Sequence, residues 1–209
     1  MRIRISYIKD SLIRFTSALD MQRIWERSFR RASIKVTYSK GFHPQPRIQL
    51  GIPLPLGFIG LDEKVDIWIE DSFSLKEISN RLERNLPVGL EISSIQEINV
   101  SEKALSSQIQ FSDYRVYLQN HNFSQRVVKK RIISLLNKKE IIREKRNGKK
   151  YDLRKLILAL EFNQENQEKP FVSIRLLSQP SKTGRADEVM FTMGYSITDF
   201  IVERTGSYT

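Results

Sequence analysis

Ten consecutive residues, Tyr38-Ser39-Lys40-Gly41-Phe42-His43-Pro44-Gln45-Pro46-Arg47, hold the densest run of unusual side chains in this 209-residue chain. His43 brings an imidazole, the side chain most often used for proton transfer, so with Tyr38 and Lys40 beside it the loop has the groups for general acid–base attack by a 2′-hydroxyl on a phosphodiester. Gly41 admits backbone conformations closed to other residues, and Pro44 and Pro46 stiffen the exit. Lys40, His43 and Arg47 are thereby presented on a semi-rigid loop suited to capturing phosphate, with Tyr38 and Phe42 as rings on which a base can stack. The same residues also admit a structural reading, in which Phe42 anchors a turn to the core and His43 is hydrogen-bonded locally.

No complete catalytic set surrounds this loop. The chain has no cysteine, which excludes disulfides, thiolate nucleophiles, thiolate zinc sites and iron–sulfur ligation within it. Its two histidines are His43 and His121, and no carboxylate cluster has metal-ligand spacing, so neither a metal nor a cofactor is expected. The phosphate-cradling GxxxxGK[ST], the dinucleotide GxGxxG and the GxSxG nucleophile elbow are all missing. Asp20 and Asp187 stand at expected helix starts and read as capping residues. A non-catalytic role is favoured, with His43 as the catalytic candidate if there is one.

Charge points to an anionic partner. The net charge is +11, and the mean hydropathy is −0.40. Repulsion of that size is commonly offset by binding phosphates. From Arg23 to Arg47 there are seven bases against one acid; Ile48 to Glu102 reverses sign, with ten acids and four bases; Arg126 to Lys155 carries thirteen bases against three acids. The RNA-binding candidates are therefore Arg23, Arg27, Arg30 and Arg31, the loop residues Tyr38, Lys40, Phe42, His43 and Arg47, and Lys129, Lys130, Lys149 and Lys150. Lysine- and arginine-rich helix faces are also often merely solvated.

The elements that must carry these residues follow from periodicity. Alternation over Arg2–Phe15 predicts a strand or hairpin, and Ser17-Ala18-Leu19-Asp20 opens a helix to Ala32. In that helix Met21, Ile24, Trp25, Ser28 and Ala32 form the packing stripe, opposite the four arginines. Strands are expected at 34–38, 47–52 and 64–70, a helix from Ser74-Leu75-Lys76-Glu77 to about Leu86, and a strand at 90–98. After a small polar boundary at Val100–Ser107 the order recurs: strand 109–118, helix 124–136, a hairpin turning at Asn147-Gly148, strand 170–177, helix 185–193 and strand 197–203. This predicts an α+β chain of two ferredoxin-like β-α-β-β-α-β units, a duplicated sandwich, with domains at 1–100 and 108–209.

Three stretches resemble a known family: Phe15-Thr16-Ser17-Ala18-Leu19-Asp20 through Arg30-Arg31-Ala32, then Tyr38-Ser39-Lys40-Gly41-Phe42-His43-Pro44, then Pro53-Leu54-Pro55-Leu56-Gly57. Asp152-Leu153-Arg154 and Arg185-Ala186-Asp187-Glu188-Val189 extend the likeness more thinly. In these the chain is similar to the radical-SAM-linked family of bacterial proteins, found fused to a cobalamin-binding radical-SAM protein or encoded near one. The resemblance implies an accessory partner of such an enzyme, and without cysteine here the cluster and radical chemistry would belong to the other chain.

Three functions follow as expectations. The first is RNA binding by a non-catalytic accessory protein in ribosome or RNA metabolism. The second is docking on the radical-SAM protein without RNA, through the acidic stretch 48–102 and the apolar run 53–59. The third is a metal-independent RNA endonuclease using His43, by analogy of fold alone. No window approaches the roughly 18 apolar residues of a membrane span, and the chain opens without an apolar signal core, so a cytoplasmic location is expected. Oligomeric state is not legible.

Overall fold

A computed structural model describes residues 1–70, 72–119, 124–145, 147–164 and 169–208; His121 lies outside them. The chain is α+β, and its contacts divide it into two compact units, Met1–Ile109 and Gln110–Thr209.

In the first unit β1 (Arg2–Lys9) leads to α1 (Ala18–Arg31), β2 (Ile48–Leu50), β3 (Ile59–Trp68), α2 (Leu75–Glu83), β4 (Leu90–Ile98) and a single turn, α3 (Leu105–Gln108). The strands lie in the order β2-β3-β1-β4, every pair antiparallel. Strand alternation sends Ile3, Ile5 and Tyr7 to one face, where they meet Met21, Trp25 and Phe29 of α1 and Ile78 and Leu82 of α2 in one core. Trp25 is fully buried, with the Tyr7 ring edge-on at 5.1 Å. The packing stripe of α1 is as expected, with Phe29 as an added member.

Two local readings change. Arg2–Phe15 is not a hairpin: β1 ends at Lys9 and a 3₁₀ turn follows at Ser11–Ile13. The buried Lys9 ammonium holds that turn, donating to the carbonyls of Arg14 (3.2 Å) and Thr16 (2.9 Å). The strand expected at 34–38 is reduced to isolated bridges, Val36 to Ile69 and Tyr38 to Pro46. The chain leaves α1 through Ser33 at φ +57° and must bend at once into the 38–47 loop, which leaves no length for a ladder.

The start of α2 carries a reciprocal cap. The Ser74 hydroxyl accepts from the Glu77 amide (3.3 Å), while the Glu77 carboxylate accepts from the Ser74 amide (2.9 Å) and hydroxyl (2.7 Å). These bonds, the hydroxyl's first, hold the Glu77 carboxyl below its ordinary range. Ser74→Ala is expected to cost about 1 kcal/mol in a urea titration at neutral pH. A depressed carboxyl contributes above its unfolded pKa and loses that contribution as pH falls through its folded one, so the deficit should shrink on acidification.

In the second unit β5 (Phe111–Leu118) is followed by α4 (Gln125–Leu136), a small hairpin of β6 (Ile142–Glu144) and β7 (Lys150–Asp152), β8 (Ile157–Asn163), β9 (Phe171–Gln179), β10 (Lys182–Thr183), α5 (Ala186–Thr192) and β11 (Phe200–Tyr208). Gly148, at φ +78°, supplies the left-handed turn residue expected between β6 and β7. The main strands run β8-β9-β5-β11, again antiparallel. Leaving aside the hairpin and the short β10, this repeats the element and strand order of the first unit. The last strand lies three residues later than expected, because Ile197–Asp199 forms a 3₁₀ turn with a Ser196–Asp199 cap.

Candidate nucleic-acid interface

Four arginines of α1, at spacings of three and four, share the helix face turned from the core. Arg23, Arg27, Arg30 and Arg31 are all exposed. Arg23 has only a loose pair to Asp20 (3.5 Å), and Arg31 donates to the Asn85 carbonyl (3.0 Å). The cap of α1 is Ser17, whose hydroxyl accepts from the Asp20 amide (3.2 Å) and donates to the Asp20 carboxylate (2.6 Å), so Asp20 supports the cap from the first turn.

The loop after α1 is a narrow hairpin. The Ser39 amide donates to the Gln45 carbonyl (2.8 Å), the Gln45 amide returns to the Ser39 hydroxyl (2.9 Å), and Gly41 sits at φ +139°. This closure lifts Lys40, Phe42 and His43 into solvent. Phe42 is fully exposed and Tyr38 about half exposed (102% and 49%), so Phe42 is not the core anchor that the structural reading required. Among the described residues none is shown hydrogen-bonding to the His43 ring. General acid–base work needs an imidazole that is aimed and held, and among the described residues His43 has no orienting partner.

Arg47 at the loop's exit is placed differently. Its guanidinium stacks on the Trp68 ring at 4.4 Å, and its carbonyl accepts from the Trp68 amide (3.1 Å). Tyr38 and Arg30 instead line a groove of about 430 Å³ with Lys35 and two acids, Glu26 and Glu70. The first unit thus gathers an arginine face, an exposed aromatic tip and a groove.

Behind this surface lies a polar cluster that alternation alone does not reveal. Arg2 is 1% exposed and Asp66 is fully buried. Arg2 donates to Asp66 (2.6 Å) and to the carbonyls of Glu102 (2.6 Å) and Lys103 (3.1 Å), while Arg4 grips both Asp66 oxygens at 2.8 and 3.0 Å.

The second unit's candidates lie on two different elements. Lys129 and Lys130 are exposed on α4, and Lys149 and Lys150 are exposed on the β6–β7 hairpin. The two motifs near the end of the chain prove to be architectural. Asp152 accepts from the amides of Ile141 (2.9 Å) and Arg154 (3.0 Å). Arg185 grips the buried Asp187 carboxylate at 3.0 and 2.6 Å, and Arg143 pairs with Glu188. Among the described residues no group of three or more His, Cys, Asp or Glu side chains is placed to hold a metal ion.

The sequence reading passed over one surface, the outer face of the second unit's sheet. Phe111, Asp113, Arg115 and Tyr117 of β5 stand there opposite Leu177, Arg175, Ser173 and Phe171 of β9. Alternation marks these positions, but the sequence does not say which face stays uncovered.

Fold and surface together define a class: an α+β protein of two antiparallel-sheet units bearing exposed basic and aromatic groups. The chain belongs to the bacterial family described as "Uncharacterized protein conserved in bacteria (DUF2344)", whose model matches residues 2–186. No curated protein matches it. Among solved structures 27 chains match. One, a chain of "Crystal Structure of a Cbf5-Nop10-Gar1 Complex", is 7% identical with a TM-score of 0.47, over 97% of this chain and 48% of that one. The present chain thus spans about half the length of that one. No helix among the described residues is long and apolar enough to cross a membrane.

Proposed function

We propose that the chain is a non-catalytic RNA-binding protein, built as a duplicated ferredoxin-like sandwich, that works in the cytoplasm as accessory to a cobalamin-type radical-SAM enzyme. The observation that carries the reading is the exposed row Arg23, Arg27, Arg30 and Arg31 on α1 beside the solvent-raised Lys40, Phe42 and His43. Cations in register along a helix suit a phosphate backbone, and an unburied ring next to them suits a splayed base. Two β-α-β-β-α-β units with the same strand order support the duplication. The enzyme partner rests on the family resemblance alone.

Nuclease-treated protein titrated with cellular RNA at several salt concentrations tests the reading. Binding should weaken steeply with salt, and Lys40→Ala/Arg47→Ala should reduce the slope of log K against log salt by about one for each phosphate no longer neutralised. Tight binding that ignores salt, or none at physiological salt, would sink the proposal.

A second reading, protein docking, has its own observation. Leu12 and Phe15 are 71% and 70% exposed, and Leu56 beside them is 58% exposed. The Gly57 amide bonds to the Arg14 carbonyl (2.9 Å), which ties the two turns together. Phe58 from the same apolar run is buried, so only part of 53–59 is available to a partner.

A further inference from the structure

The outer face of the second unit's sheet has a composition that its burial does not require. The inner face holds Tyr114, Val116, Val172, Ile174 and Leu176, all buried. On the outer face β5 carries Phe111, Asp113, Arg115 and Tyr117, and β9 carries Phe171, Ser173, Arg175 and Leu177, with the Phe171 ring itself buried (8% exposed) beneath its neighbours. Phe111 stacks on Tyr208 of β11 with centroids 5.3 Å apart and planes 28° from parallel, and Tyr117 lies 5.8 Å from Phe171. Each pair is topped by an arginine: Arg175 sits 4.6 Å over Phe111 and Arg115 sits 5.2 Å over Phe171. Asp113 holds the Arg175 plane by two bonds, at 2.7 and 2.8 Å, yet the Arg175 side chain remains 47% exposed.

A guanidinium clamped flat by a carboxylate and backed by a ring is a planar platform whose outer face is open. The surrounding groove, about 320 Å³, is lined by Asp113, Arg115, Glu161, Asn163, Ser173 and Arg175. That volume is within the usual range for ligand pockets, roughly 300–1,000 Å³. Its two cations are matched by two carboxylates, so it is ill-suited to a phosphate-dense duplex. Carboxylate, amide and hydroxyl groups next to planar cations suit the edges and faces of unpaired bases.

We infer that this sheet face binds a single-stranded RNA segment, its bases stacked on the Arg175–Phe111–Tyr208 and Arg115–Phe171–Tyr117 platforms. The inference rests on the RNA-binding reading above but assigns the single strand to a separate surface, in the second unit. Bases stack because every base has a π-face, so little sequence preference and a clear preference over duplex are expected.

The test uses the full chain with a 4-thiouridine-containing oligouridylate, a duplex of equal length and the matching oligothymidylate. Tyr208→Ala and Arg175→Lys, both at exposed positions, should each weaken oligouridylate binding about five- to tenfold. Arg175→Lys keeps the charge and loses the plane, so its salt slope should match the wild type, and both variants should unfold at the wild-type temperature. Photo-crosslinks should map to 111–117 and 171–177. Crosslinks confined to the 38–47 loop, or wild-type affinity in both variants, would overturn the inference while leaving the loop reading standing. Equal affinity for the duplex would also overturn it. Thymidylate binding as tight as uridylate would refute the restriction to RNA. Absence of binding to any nucleic acid would remove both proposals together.

Discussion

Asp66→Ala is expected to destabilise the first unit by roughly 3–5 kcal/mol, the cost of leaving a buried charge without its partner. The side chain is fully buried and serves two guanidiniums at once, from Arg2 and Arg4. Without it, Arg2 keeps its carbonyl acceptors at Glu102 and Lys103 and its place 4.6 Å over the Trp68 ring, and Arg4 keeps Glu102 at 3.4 Å. Neutral acceptors do not replace a carboxylate in a site that excludes water. Replacing the pair together, Arg2→Met/Asp66→Leu, should recover part of the loss, since the fully buried Arg2 charge leaves with its partner; Arg4, left with Glu102 at 3.4 Å, and the orphaned carbonyls of Glu102 and Lys103 set the remainder. Urea unfolding of the two variants measures both quantities. An Asp66→Ala protein within about 0.5 kcal/mol of wild type, the range of ordinary surface substitutions, would show that the cluster is solvated and that this account of it is wrong.

That cluster also marks where sequence reading stops. Arg2-Ile3-Arg4-Ile5 announces a strand with one apolar face, and β1 is there. The pattern assigns the arginines to solvent, because polar positions on a sheet's second face normally meet water. Arg2 is buried instead, since chain about a hundred residues away, at Asn99–Lys103, folds over it, and a window of a dozen residues carries no trace of such a contact. By contrast the start of α2 and the whole of β4 were legible to the residue, because those signals are local, the Ser74–Glu77 cap and the alternation from Leu90; the end of α2, expected at about Leu86, comes at Glu83. Residues 34–38 misled for the opposite reason. Ile34, Val36 and Tyr38 alternate as a strand should, but the alternation serves a turn, with Ile34 packed in the core and Tyr38 half exposed.

The candidate site divides in the same way. The arginine face of α1 follows from helical spacing alone, and the loop's prominence follows from its glycine and prolines. The outer sheet face of the second unit had its signal in the alternation of Phe111, Asp113, Arg115 and Tyr117. Either face of an antiparallel sheet can be the covered one, and only α4 and α5, by burying their own apolar rows, decide it.

The arginine face yields the larger binding prediction. Each phosphate neutralised releases condensed counterions, which contributes about 0.7 to 0.9 to the slope of log K against log salt. At about 0.1 M salt one neutralised phosphate is worth a factor of roughly five to eight relative to 1 M. If all four arginines of α1 meet phosphates, replacing Arg23, Arg27, Arg30 and Arg31 with alanine should lower RNA affinity on the order of 10³-fold at about 0.1 M salt and flatten the slope by about three. Folding should survive, because alanine favours helix and these side chains lie outside the core; the Arg31 bond to the Asn85 carbonyl and the loose Arg23–Asp20 pair are the interactions that go with them. Single substitutions grade the contribution. Arg27→Ala and Arg30→Ala, at the middle of the row, should each remove close to one phosphate's share of the slope, whereas Arg23→Ala, already loosely paired with Asp20, should remove less. A quadruple variant that keeps its affinity and its slope would mean that the face is only solvated, and the RNA-binding reading would then lose the observation on which it stands.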